Sequence, residues 1–264
     1  MKKILFAATL ALFASTQAFA IIGAGAHYVK NATGSLKAST GPVYELDFAG
    51  QKQSIDVVQQ KADGLQGLGF KLWIDLLPII DIEGTFNVAA TRYKTSLSIP
   101  VLVQGTDGTP TIERKEIPLA YTPDAPFNMY FDRADPLYGI FSGDVSITYP
   151  FTSLPIIRPY AGLGVSYLAS IPVINASFTK KMLDNSNELT DALTTSADPD
   201  KAAAAVGDAL VKTLKDSDYK TSITGHAIIG VRFKIPFLPP VIYANGKYYF
   251  GKDVVLEVGG GLAI

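Results

Sequence analysis

Read two residues at a time, the chain separates into ribbons with one apolar and one polar edge. From Gly67 to Leu77, Leu68, Phe70, Leu72, Ile74 and Leu76 alternate with Gly67, Gly69, Lys71, Trp73 and Asp75. Beyond Pro78, Ile80, Ile82, Phe86 and Val88 oppose Asp81, Glu83, Thr85 and Asn87. Successive strand side chains point to opposite faces, so this period predicts a hairpin with one greasy and one polar face. The design recurs in Tyr138 to Tyr149, where Phe141, Val145, Ile147 and Tyr149 oppose Ser142, Asp144, Ser146 and Thr148. Its return strand sets Ala161, Leu163, Val165 and Tyr167 against Arg158, Tyr160, Gly162, Gly164 and Ser166. A third hairpin opposes Ile223, Ala227, Ile229, Val231 and Phe233 to Thr224, His226, Gly230, Arg232 and Lys234. In its partner Ile242, Ala244, Tyr248 and Phe250 face away from Tyr243, Asn245 and Lys247.

The three hairpins turn through similar segments around Pro78, Pro155 and Pro239. Proline cannot donate to a ladder and belongs in such turns. Two terminal strands complete the set, one with Ile22, Ala24, Ala26 and Tyr28 outward, the other with Val254, Leu256, Val258 and Leu262 opposite Glu257. The pattern predicts an all-β fold: an eight-stranded antiparallel up-and-down barrel with both chain ends on one side. Short proline turns lie on that side, and long connections over about 29–63, 94–137 and 169–221 lie on the other. Short turns opposite long loops is the arrangement of outer-membrane barrels.

The ends and the composition narrow the class. Lys2 and Lys3, an apolar run from Ile4 to Phe13 and the small-x-small site Ala18-Phe19-Ala20 read as a cleavable secretion signal over residues 1–20. The single domain then covers residues 21–264. Apolar residues make up 48% and charged ones 18%, yet no segment of the mature chain is long enough for a spanning helix. That excess belongs to a large soluble core or to a membrane barrel whose apolar residues are spread over alternating strands. Cysteine is absent, which excludes disulfides and thiolate metal sites. The net charge of −1 gives no reason to expect a nucleic-acid partner.

Alternation alone does not separate a membrane barrel from a soluble carrier that turns its apolar face inward. Three features favour lipid. Glycines crowd the polar faces, as a narrow interior requires. The polar-face charges nearly balance, with Lys71, Arg158, Arg232, Lys234 and Lys247 against Asp75, Asp81, Glu83, Asp144 and Glu257. Tyr28, Tyr149, Tyr167, Phe233, Tyr248 and Phe250 lie near strand ends on the apolar face, as interfacial girdles do. With its signal sequence and its strand Arg158-Pro159-Tyr160-Ala161-Gly162-Leu163-Gly164-Val165-Ser166-Tyr167, the chain resembles small outer-membrane barrels of the OmpA-transmembrane-domain, OmpX and OmpW type. The resemblance covers the strands, not the long loops. It implies residence in the bacterial outer membrane, contact with its lipid and insertion by the barrel-assembly machinery. Such barrels commonly end in an aromatic residue; this chain ends Gly261-Leu262-Ala263-Ile264.

Candidate function is thinner. The ten polar-face charges are expected to form a lumen network, either a structural plug or an ion path. The third connection carries a helical insertion at about 179–218. Lys180 to Thr195 is helix-compatible, and after Asp198-Pro199 the residues Ala202, Val206, Leu210 and Leu214 form an apolar stripe at four-residue spacing. The stripe would cover the other long loops, close the mouth, rest on lipid or bind a partner. In the second connection Leu97 to Val103 and Thr111 to Leu119 flank Gly105-Thr106-Asp107-Gly108 and predict a hairpin that extends two barrel strands. Tyr121, Phe127, Tyr130, Phe131 and Tyr138 would pack the loops or ring the mouth. Only His27 and His226 are available for acid–base work, both on inward faces, and no spacing marks a catalytic or metal site. The reading is therefore a non-enzymatic barrel without cofactor, anchoring exposed loops and admitting at most a small or apolar solute. A soluble periplasmic lipid carrier and a rim-located lipid-modifying enzyme are the alternatives.

Overall fold

The structure, a computed structural model, describes residues 21–32, 34–48, 51–75, 80–104, 109–120, 135–151, 156–186, 199–217, 220–234 and 238–263. The secretion signal expected over residues 1–20 lies outside them. In chain order the strands are β1 (Ile21–Asn31), β2 (Ser35–Leu36), β3 (Ser39–Phe48), β4 (Gln51–Gln59), β5 (Ala62–Asp63), β6 (Gln66–Asp75) and β7 (Asp81–Arg92). There follow β8 (Thr95–Gln104), β9 (Pro110–Pro118), β10 (Leu137–Pro150), β11 (Ile157–Ser170), β12 (Lys220–Lys234), β13 (Pro240–Tyr249) and β14 (Val254–Ala263). Among the described residues, two helices, α1 (Ala176–Asp184) and α2 (Pro199–Lys215), lie between β11 and β12.

Eight strands close into an antiparallel barrel in the order β1-β14-β13-β12-β11-β10-β7-β6. The first strand pairs with the last, Gly25 opposite Gly261, and with β6, Gly25 opposite Lys71. These are the strands that the two-residue period predicts, in the predicted order.

The faces settle which solvent the barrel needs. Leu68 is 72% exposed, Leu163 64% and Ile229 65%, whereas Lys71, Glu83, Lys247 and Glu257 are completely buried. A water-soluble carrier would have the reverse distribution. A continuous apolar outer wall around an ionic interior is stable where hydrocarbon surrounds it. The chain is a membrane-spanning barrel of the outer-membrane kind. Leu72, outward and half exposed, tests the facing. Leu72→Arg should destabilise the folded barrel by roughly 2–4 kcal/mol in bilayers; an unchanged urea midpoint for heat-modifiable folding would contradict the assignment.

The long connections do not remain loops. The strands β3, β4, β8 and β9 form a second, four-stranded antiparallel sheet in that order. The first connection, expected as plain loop, supplies β3 and β4. The predicted hairpin of the second connection is present as β8 and β9, but it does not prolong the barrel wall. Although β8 follows β7 after two residues, its partners become β4, through Val57 opposite Leu97, and β9, through Leu97 opposite Ile117.

Both helices pack on one face of this sheet. Ile55, Val57, Leu97 and Ile99 from the strands meet Phe178, Met182, Val206 and Leu210 from the helices in one buried core. Asn175 starts α1 by accepting the Phe178 N–H on its side chain at 3.0 Å, which satisfies an otherwise orphaned donor. This helix begins at Ala176, ahead of the expected residue 179, and ends at Asp184; residues 187–195 lie outside the described set. Of the α2 stripe, Val206 and Leu210 are fully buried and Leu214 packs partly against the same core; the side chain of Ala202 lies outside the description.

Tyr93 joins the barrel to the cap formed by this four-stranded sheet and its two helices. It is buried at the β7–β8 junction, and its hydroxyl accepts the Ile174 N–H at 2.9 Å. Burial pushes its phenol up from 10.0 to about 12. The neutral form is therefore the folded form, so this residue contributes a loss of cap stability as pH rises from about 10 to about 12, where only the unfolded chain ionises. Tyr93→Phe leaves a buried N–H without its acceptor and should cost the cap about 1–3 kcal/mol, read as faster proteolysis of the cap with heat-modifiable barrel folding retained.

Candidate functional site

The barrel interior is built in layers. At the end near the chain termini, Asp75 and Asp81 stand opposite each other across β6 and β7. Two like charges in one narrow ring need cations, and β11 and β12 bring Arg158 opposite Arg232. Arg158 lies 3.1 Å from Asp75 and 2.7 Å from Asp81. Arg232 lies 2.7 Å from Asp75 and 3.3 Å from Asp81, and its second nitrogen donates to Glu83.

One layer further in, Glu83 also accepts from Lys71 at 2.6 Å. Aromatic rings wall this layer. The Arg232 guanidinium sits 5.3 Å from the Trp73 ring and 5.0 Å from Tyr160, and Lys71 lies 5.1 Å from Tyr243. These faces attract cations held out of water. Above them Lys247 bridges Asp144 and Glu257, at 2.9 Å to each. Asn87 donates to Glu257 at 2.8 Å, and Asn245 donates to the same carboxylate. Tyr249 donates to Asp144 at 3.1 Å.

The structure thus brings together Lys71, Asp75, Asp81, Glu83, Asp144, Arg158, Arg232, Lys247 and Glu257. Lys234 stands apart, half-buried at the end of β12, because its strand runs out beyond the last layer. The neutral members Trp73, Tyr160, Tyr243, Asn245, Asn87 and Tyr249 were absent from the predicted network. For Trp73, Tyr160, Tyr243, Asn245 and Asn87 the signal was available, since the alternation already places them on polar faces beside the charges.

Glycines make room for this filling. A Cβ at Gly230 would lie 2.7 Å from the Tyr160 ring, and one at Gly164 2.5 Å from His226. Both histidines face inward and are bound on both ring nitrogens. His27 contacts Asn87 at 2.6 Å and the Tyr243 hydroxyl at 3.1 Å; His226 contacts Ser146 at 2.8 Å and Ser166 at 2.6 Å. Among the described residues no group of three or more His, Asp or Glu side chains is placed to hold a metal ion.

Outside, the expected girdle residues are all exposed and fall into two belts. Tyr149 and Phe233 lie toward the chain termini, while Tyr28, Tyr167, Tyr248 and Phe250 lie toward the cap. Tyr28 donates to Gln66 at 2.7 Å, an apolar ring with a wet tip of the kind suited to a membrane interface.

Toward the cap the lumen turns apolar, with Val29, Leu65, Ala89 and Val255 buried in one cluster. Here a cavity of about 460 Å3 opens between barrel and cap. Its walls include Ile140, Leu168, Val173 and Tyr138, and its rim carries Lys220, Lys252 and Asp253. Tyr138 is the one predicted mouth aromatic within the description; Tyr121, Phe127, Tyr130 and Phe131 lie outside it.

No family model matches the chain, and no curated protein matches its sequence. Among solved structures, the outer membrane protein OprG from Pseudomonas aeruginosa aligns at 13% identity and a TM-score of 0.45, over 94% of this chain and 97% of its own. Ail, the attachment invasion locus protein of Yersinia pestis, in complex with the heparin analogue sucrose octasulfate, aligns at 9% identity and a TM-score of 0.39, over 93% and 99%. The N-terminal β-barrel domain of Pseudomonas aeruginosa OprF aligns at 9% identity and 0.34, over 93% and 97%. At scores this low the likenesses add nothing to the barrel and its inside-out polarity, which stand on this chain's own residues.

Proposed function

We propose that the protein is a sealed, non-enzymatic outer-membrane anchor that presents a folded cap at the cell surface. One observation carries this reading: above the half-buried Asp75–Arg158 ring and up to Tyr249, the lumen is occupied by buried side chains, each ion held by an opposite charge. An eight-stranded interior is just wide enough for side chains to fill, which supports a lumen closed below the mouth cavity. Ion passage would require several buried pairs to separate together, at several kcal/mol each. The histidines support the non-enzymatic reading, because both are enclosed and engaged by neighbours. On this proposal the barrel-assembly machinery inserts the strands, the girdles meet outer-membrane lipid, and no solute crosses.

Planar-bilayer recording of the refolded protein tests the reading. No discrete conductance steps should appear above the bare-bilayer background. Reproducible steps that disappear on heat denaturation of the same sample would overturn it.

A further inference from the structure

We infer that the cavity between barrel and cap is a binding site for one small monoanionic amphiphile, its apolar end down and its anionic head at Lys220 and Lys252. This goes beyond the anchor, which needs no ligand. At about 460 Å3 the cavity has the size of small-molecule sites, commonly about 300–1,000 Å3. Its walls are mainly Val29, Ala89, Ile140, Leu168, Val173 and Val255, from five separate segments. Such a surface gains by taking an apolar body in place of water.

The polarity of the two ends sets the orientation. Floor groups are already engaged from below. Asn87 donates to Ser142 at 3.2 Å and to Glu257 at 2.8 Å, its oxygen faces His27, and Tyr249 donates to Asp144 at 3.1 Å. Nothing there calls for a polar head. The rim differs: among the described residues, Lys220 and Lys252 bring two ammonium groups to it against one carboxylate, Asp253, which already accepts from Asn31 at 3.0 Å. Lys252 is held over the opening by donating to Ser222. Lys220 and Lys252 are exposed, so a head group would reach them without crossing the lumen network. An apolar well beneath a net positive rim selects a tail with a single negative charge.

The test uses the full protein in phosphocholine nanodiscs, with empty discs as reference, and three probes of equal chain length: decanoate, decanol and decyltrimethylammonium. Decanoate should bind saturably at one per protein, and decyltrimethylammonium about tenfold more weakly, the order that two exposed charge contacts support. Leu168→Trp, which fills the well, should remove saturable decanoate binding. The double variant Lys220→Glu with Lys252→Glu, at exposed positions, should fold normally and reverse the head-group preference. Equal binding of all three probes, decanoate uptake no greater than in empty discs, or an unchanged preference in the double variant would each overturn the site.

Discussion

Replacing Glu83 by leucine should destabilise the barrel by about 3–5 kcal/mol, the cost of leaving buried charges without their partner. Glu83 is wholly enclosed and accepts from both Lys71 and Arg232. Arg232 would keep Asp75 and Asp81, at 2.7 and 3.3 Å. Lys71 would not be so served: its remaining bonds are to Tyr160 and Asn245, both at 3.2 Å and both neutral. The larger part of the loss should therefore come from stranding Lys71. Adding Lys71→Met to Glu83→Leu removes one charge of each sign and should return most of the stability, since an apolar pair can replace a buried ion pair at little cost. Urea midpoints for the wild type, both single variants and the double variant, followed by heat-modifiable mobility, give the coupling. A Glu83→Leu loss below about 1 kcal/mol, the size of an exposed pair, would mean that water reaches Glu83 and that the lumen is open.

How far this network could be read from the chain differs between its two layers of information. Face assignment is local. Whether Lys71 or Glu83 points inward follows from its neighbours two residues away, so the strands, their order and their polarity were all legible. Pairing is not local. Lys71 meets Asn245 and Asn87 meets Glu257 across separations of 174 and 170 residues, through registers fixed only when the barrel closes. Lys234 shows the limit of parity: it has the right face but lies past the last ring.

The cap sheet was hidden for a different reason. Its strand β3 passes through Gly41-Pro42 and shifts register between Pro42 and Tyr44, which breaks the alternation that marks a strand. Its apolar residues are bounded by polar ones until β4, β8 and the two helices surround them. The mouth cavity was less legible still, because its walls come from segments as distant as Val29 and Val255.

Gly261→Val should abolish folding altogether, against the general preference of strands for β-branched residues. Gly261 faces inward at the seam where the first and last strands meet, opposite Gly25. A Cβ there would lie 2.1 Å from the carbonyl oxygen of Ala24 and 2.6 Å from the Gly25 Cα. Both obstacles are backbone, so no rotamer change relieves the clash. Either β14 bends away or the seam parts, and parting exposes the N–H and C=O groups of β1 and β14 to hydrocarbon, at several kcal/mol for each group left unpaired. The neighbouring pairs offer little slack, since His27 already presses against Gly259, whose own Cβ would lie 2.4 Å from that of His27. Gly84→Val is the matched control. Gly84 lies opposite Leu72 and Val145 on the lipid face, and a Cβ there meets nothing within 4 Å. The same substitution should leave the heat-modifiable fraction at the wild-type level for Gly84 and reduce it to background for Gly261. Equal folding of the two variants would show that β1 and β14 are not held at this distance, and the closed barrel would have to be redrawn at that seam.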